Sequence, residues 1–149
     1  MRVGTALTQA ERVKITRTDA DRREAVKKMI AKGQLETGRD YFNAAIIMQH
    51  GAASDDYLLA HTLAVIGTSK GNKTCIWLSA ATLDRYLLSI KQPQIYGTQY
   101  NHFDPTKLWT QAPYTNNLIT YGLRKELGVP SVDEQKKRLD SFNPSPLTK

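Results

Sequence analysis

Apolar positions recur at helical spacing through the middle of the chain, and the stops between them are short. Residues 40–99 read DYFNAAIIMQHG, SDDYLLAHTLAVIGTSKG, NKTCIWLSAATLDRYLLSIKQ and PQIYGTQ, which predicts three consecutive helices and a return loop. Ahead of them, a helix is expected over about Asp19–Lys32. Val26, Met29 and Ile30 give it one apolar stripe, and Gly33 stops it. The next starts at Thr37, where Thr37 and Asp40 have the spacing of a capping box. Tyr41 to Met48 is apolar almost all round, as in a buried helix. The third is expected to be capped by Ser54 and to run to Gly71. Asp55 and Asp56 sit in its first turn, and Leu58, Leu59, Leu63 and Ile66 face the core. The fourth spans about Asn72–Ile90, and Pro93 cannot continue it. A fifth is expected over about Thr115–Leu127. A sixth runs over Ser131–Ser141, where Ser131 and Glu134 form a capping box.

Links this short force consecutive helices to lie antiparallel. The small residues Ala44, Ala45, Ala60, Ala64, Ala80 and Ala81 let them approach closely. The expected fold is mainly α: a compact array of about six helices in antiparallel hairpins, packed somewhat like Sel1 and tetratricopeptide repeats. No 34-residue period runs through the chain to make it a true repeat array. Near 95–113 the pattern breaks, and aromatic and β-branched residues flank Asp104-Pro105. An irregular segment or short β-hairpin is expected there. The organisation expected is a flexible basic arm (1–17), a single helical domain (18–142) and a tail (143–149).

Charge and cysteine content narrow the classes. Of a net +7, the first 33 residues hold nine Lys/Arg against four Asp/Glu, and residues 34–100 balance at five against five. The excess therefore lies in the flanks. It is not interleaved with aromatic residues as a stacking surface requires, which disfavours nucleic acid as a partner. No apolar run is long enough for a membrane span, and MRVGTALTQAERVKITR lacks the apolar centre of a secretory leader. The expected location is the cytoplasm, or else the sequence is a mature form whose leader is not shown. Cys75 is the one cysteine and lies in an apolar helix, so a buried, inert thiol is expected. Oligomeric state is not legible.

The polar residues set among these apolar helices carry whatever chemistry the chain has. Counted from the turn at Gly71-Asn72, His61 and Asp84 lie at similar levels, roughly 3 Å apart along antiparallel helices. A facing pair would let Asp84 orient the imidazole for acid–base work. It would equally serve as a satisfied knot that only fixes packing. His50, Tyr96 and Gln99 are expected together at one end of the array, with Arg85 one to two turns deeper. Arg85 would pair with Asp84 or bind an anionic group. The candidate catalytic residues are therefore His61, Asp84 and His50. The candidate substrate contacts are Gln49, Tyr57, Arg85, Tyr96 and Gln99. No metal, phosphate-loop or nucleophile-elbow motif is present, so no cofactor is expected.

The ordered string QHG, DYLLAH, WLSAATLDRYL, PQIYGTQ and LRKELGVPSVDEQKKRL resembles an uncharacterised bacterial domain-of-unknown-function family. The likeness covers about residues 37–139. It implies the domain boundary and singles out Gln49, His50, His61, Asp84, Arg85 and Gln99, but it implies no activity.

Two functions fit these residues. One is a metal-independent acid–base enzyme or ligand-binding protein acting on a polar or anionic small molecule. The other is a helical interaction module for a peptide or protein, with the His–Asp pair structural. The acid–base reading requires an open cavity touching at least three of His50, His61, Asp84, Arg85 and Gln99.

Overall fold

In the computed structural model, which describes residues 9–102 and 104–143, the fold is mainly α. Six helices occur among those residues: α1 (Gln9–Ala31), α2 (Gly38–Met48), α3 (Ser54–Ser69), α4 (Thr74–Ser89), α5 (Tyr121–Glu126) and α6 (Val132–Phe142). Helices α2, α3 and α4 form the antiparallel wall, with α3 packed between α2 and α4 and α1 lying against α2. The core is made by Val26 of α1, Ala44, Ala45 and Met48 of α2, Ala60, Leu63 and Ala64 of α3, and Leu78 of α4. Half of those residues are alanine, so the helices approach closely and the core is thin.

Both expected capping boxes form. Thr37 Oγ1 accepts from Asp40 N–H at 3.2 Å, and the Asp40 carboxylate accepts from Thr37 N–H at 2.8 Å. Ser131 and Glu134 repeat the exchange at α6. Hydrogen bonds from Thr37, backbone first, hold the Asp40 carboxyl below its ordinary pKa.

Several boundaries differ from the sequence expectation. Helix α1 begins at Gln9, ahead of the expected Asp19; residues 1–8 of the expected arm, and 144–149 of the tail, lie outside the described residues. Ser54 is the first residue of α3 rather than its cap, and Ala53 in the cap position makes no side-chain bond. That helix end relies on charge: Asp56 lies 3.4 Å from Lys27 Nζ and 3.9 Å from Arg23 Nε, tying α3 to α1. Leu58 is exposed, not turned to the core. The fifth helix is short because Thr115 to Thr120, rich in turn-forming Asn and Thr, stays irregular.

The break near 95–113 is an ordered return segment rather than a full hairpin. Asn101 and Thr110 exchange two backbone hydrogen bonds, at 2.7 and 2.9 Å, across the Asp104 turn. Gln94 pairs with Tyr114 in an isolated parallel bridge. The backbones of α5 and α6 do not pack on α1–α4 among the described residues, so this segment joins the two halves.

The wall has no slack at Gly67. A Cβ there would sit 2.5 Å from Cys75 Sγ and 3.3 Å from the Gly38 carbonyl. Alanine in a helix interior ordinarily gains about 0.5–1 kcal/mol over glycine. Here overpacking should win, and Gly67→Ala should destabilise by about 1–3 kcal/mol in urea unfolding. Combining it with Cys75→Ala should recover part of that loss, a coupling that independent sites would not give.

Candidate functional site

One side chain places the return segment. Asp84, on the buried face of α4, is fully enclosed. Its Oδ1 accepts from the backbone N–H groups of Ile95 (2.8 Å) and Tyr96 (3.0 Å). Its Oδ2 accepts from Thr98 N–H (2.9 Å) and Thr98 Oγ1 (2.7 Å). Converging backbone N–H groups of this kind make an anion-binding nest, and the protein's own carboxylate fills it. Gly97 lets the chain turn inside the nest, with φ +73°. A side chain there would also strike Tyr114 and Gln135 at 2.5 Å.

Around this clamp lies a second, polar core. Buried Gln94 donates to the Gln99 carbonyl (2.9 Å) and the Gln111 carbonyl, and accepts from Gln99 N–H (3.0 Å). The Tyr96 carbonyl accepts from Arg124 Nη1 (2.8 Å) and Gln135 Nε2 (2.7 Å). Arg124 also donates to the Tyr114 hydroxyl (2.7 Å), which donates to Gln135 Oε1 (2.7 Å). Arg124 of α5 and Gln135 of α6 are both almost wholly buried. They fasten the C-terminal helices to the return segment.

With the segment fixed, Gln99 and Asn101 face α4 and α3 across an open cavity of about 260 Å³. Its walls are Tyr57 of α3, Arg85, Leu88 and Ser89 of α4, and Gln99 and Asn101. Arg85 follows Asp84 directly and lies about 100° round the helix from it. It forms neither a salt bridge with Asp84 nor any other hydrogen bond or ion pair among the described residues. Its Nε is buried with no acceptor, and Asn101 Nδ2 is buried and unbonded likewise. Burial lowers the Arg85 pKa from its ordinary value, while nearby Tyr57 opposes the shift. A guanidinium partly stripped of water, with no anion beside it, is a costly arrangement.

No family model, curated protein or solved structure matches this chain, so the placements rest on the geometry alone.

Three of the expected residues, Tyr57, Arg85 and Gln99, meet in that cavity. The others do not join them. The His61–Asp84 pair is absent: both Asp84 oxygens are occupied by the loop, and His61 Nδ1 lies 2.9 Å from the Ser79 carbonyl. His50 is exposed and lines a separate depression with Asp19, Arg22, Ile46 and Ile47. Gln49 occupies the C-cap of α2. Tyr96 contributes its carbonyl to the polar core, and burial raises its phenol pKa. Asn101 was not among the expected residues; its place beside the expected turn was the available signal. Among the described residues no three His, Cys, Asp or Glu side chains gather as a metal site would require. Burial also raises the Cys75 pKa, as for an inert thiol.

A carboxylate with four donors and an imidazole with one contact should respond differently to substitution. Asp84→Asn turns an amide N–H toward donors and should cost about 3 kcal/mol or more in urea unfolding. His61→Gln should cost about 1 kcal/mol. The double variant should be additive to within about 0.5 kcal/mol. Coupling well above that would reinstate a direct His–Asp pair.

Proposed function

We propose that this chain is a small-ligand-binding helical protein whose cavity between α3, α4 and residues 99–101 takes a small anionic molecule on Arg85. The observation that carries the reading is the Arg85 guanidinium, which lines this cavity and makes no hydrogen bond or ion pair among the described residues, its Nε enclosed without an acceptor. Buried arginine donors normally have partners, as those of the fully buried Arg124 do. Leu88 and the Tyr57 ring supply an apolar wall, the usual complement to a few placed polar groups.

The acid–base form of this function is not supported. The cavity touches Arg85 and Gln99 of the five residues named for it, short of three. Neither histidine reaches it, and Asp84 has no oxygen to spare. The interaction-module reading draws on a different observation: Leu58, Val65 and Trp77 are exposed at 39%, 48% and 45%. Those side chains offer apolar area with nothing in the structure to indicate a partner, so they give a weaker case than the cavity.

Thermal unfolding with a panel of small anions tests the proposal. A ligand present at ten times its Kd stabilises by about 1.4 kcal/mol. For a chain of this size that raises Tm by roughly 3–6 °C. Arg85→Met should abolish the rise. It should also leave the free protein at least as stable as the wild type, because a buried donor without an acceptor is removed. The proposal fails if no anion gives a rise that depends on Arg85.

A further inference from the structure

The cavity's free donors can be counted, and the count limits the ligand. Three polar side chains in the wall already direct their protons into the protein. Tyr57 donates to the Gly51 carbonyl at 2.8 Å. Ser89 Oγ donates to the Tyr86 carbonyl at 2.6 Å. Gln99 Nε2 donates to the Ala81 carbonyl at 3.2 Å and to Thr98 Oγ1 at 2.9 Å. What is left is the Arg85 guanidinium, which makes no hydrogen bond among the described residues; the unbonded Asn101 Nδ2 is enclosed beside the cavity. Arg85 is also the one charged residue in the wall.

A single guanidinium balances a single negative charge. Its planar fork matches the two oxygens of a carboxylate. A phosphate monoester brings about −1.5 to −2 charge and three strongly accepting oxygens. Most of those would be left without donors or countercharge in a partly desolvated site. The remaining wall, Leu88 and the face of Tyr57, offers apolar contact, and the cavity of about 260 Å³ lies at the small end for ligand sites.

We infer that the site selects a small monocarboxylate bearing a short apolar substituent, with the carboxylate on Arg85 and the substituent against Leu88 and Tyr57. This deepens, and rests on, the anion-binding reading above.

The test compares matched probes on the full chain by calorimetry or NMR titration: hexanoate, acetate, hexanamide, hexyl phosphate and inorganic phosphate. Hexanoate should bind at least tenfold more tightly than each of the other four. Arg85→Met should weaken hexanoate at least tenfold, and Arg85→Lys less than Arg85→Met. The probe series on the wild type decides the question even if a variant fails to fold. Tightest binding by either phosphate, lost in Arg85→Met, would overturn the carboxylate inference and leave the anion site standing. Equal binding of hexanoate and hexanamide would overturn both, as would binding by none of the probes.

Discussion

The buried carboxylate of Asp84 is the interaction on which the arrangement of this chain depends. Four donors from residues 95–98 converge on it. Hydrogen bonds to a charged group contribute about 1.5–3 kcal/mol each, and an enclosed carboxylate deprived of them is strongly unfavourable. The chain after α4 therefore has one economical path. That path points the Tyr96 carbonyl toward α5 and α6, where Arg124 and Gln135 bond to it. It also sets Gln99 and Asn101 opposite Arg85. Adjacent residues on one helix thus divide the work: Asp84 turns inward and builds the wall of the cavity, and Arg85 faces the space so enclosed.

Two kinds of core hold the two halves together. In α1–α4 the cohesion is apolar, through alanine-rich contacts, and Cys75 leaves no room for a side chain at Gly67. Beyond residue 90 it is polar, through Gln94, Gln111, Arg124 and Gln135, each buried and each bonded. Polar cores of this kind are unforgiving, since an orphaned partner costs more than a bond gains. Against that background the unbonded Arg85 Nε and Asn101 Nδ2 stand out. No other buried side-chain donor among the described residues lacks a partner, and these two residues line one cavity.

The helices were legible because their periodicity, caps and stops are local properties. Thr37 with Asp40, and Ser131 with Glu134, form the boxes their spacing implies. The polar core was not legible, because glutamine and arginine carry no pattern that separates a buried, bonded side chain from a solvated one. Arg124 and Gln135 were not singled out in the sequence. The expected His61–Asp84 pair failed for a related reason. Counting residues from the turn fixes the level along the helices but not the face, and Asp84 faces the loop that follows it. Arg85 was singled out because a guanidinium suits an anionic group, and Gln99 because the return loop brings it back to the helices. Asn101, beyond the apolar helices, was not.

The most direct measurement is to watch the two unbonded donors themselves. In a ¹⁵N-labelled sample titrated with hexanoate, the Arg85 Nε–Hε and Asn101 side-chain amide signals should shift together along one binding curve. His50 and His61 ring signals should stay in place. An Arg85 Hε signal that does not move at saturating carboxylate, or moves only with the bulk of exposed arginines, would contradict the account.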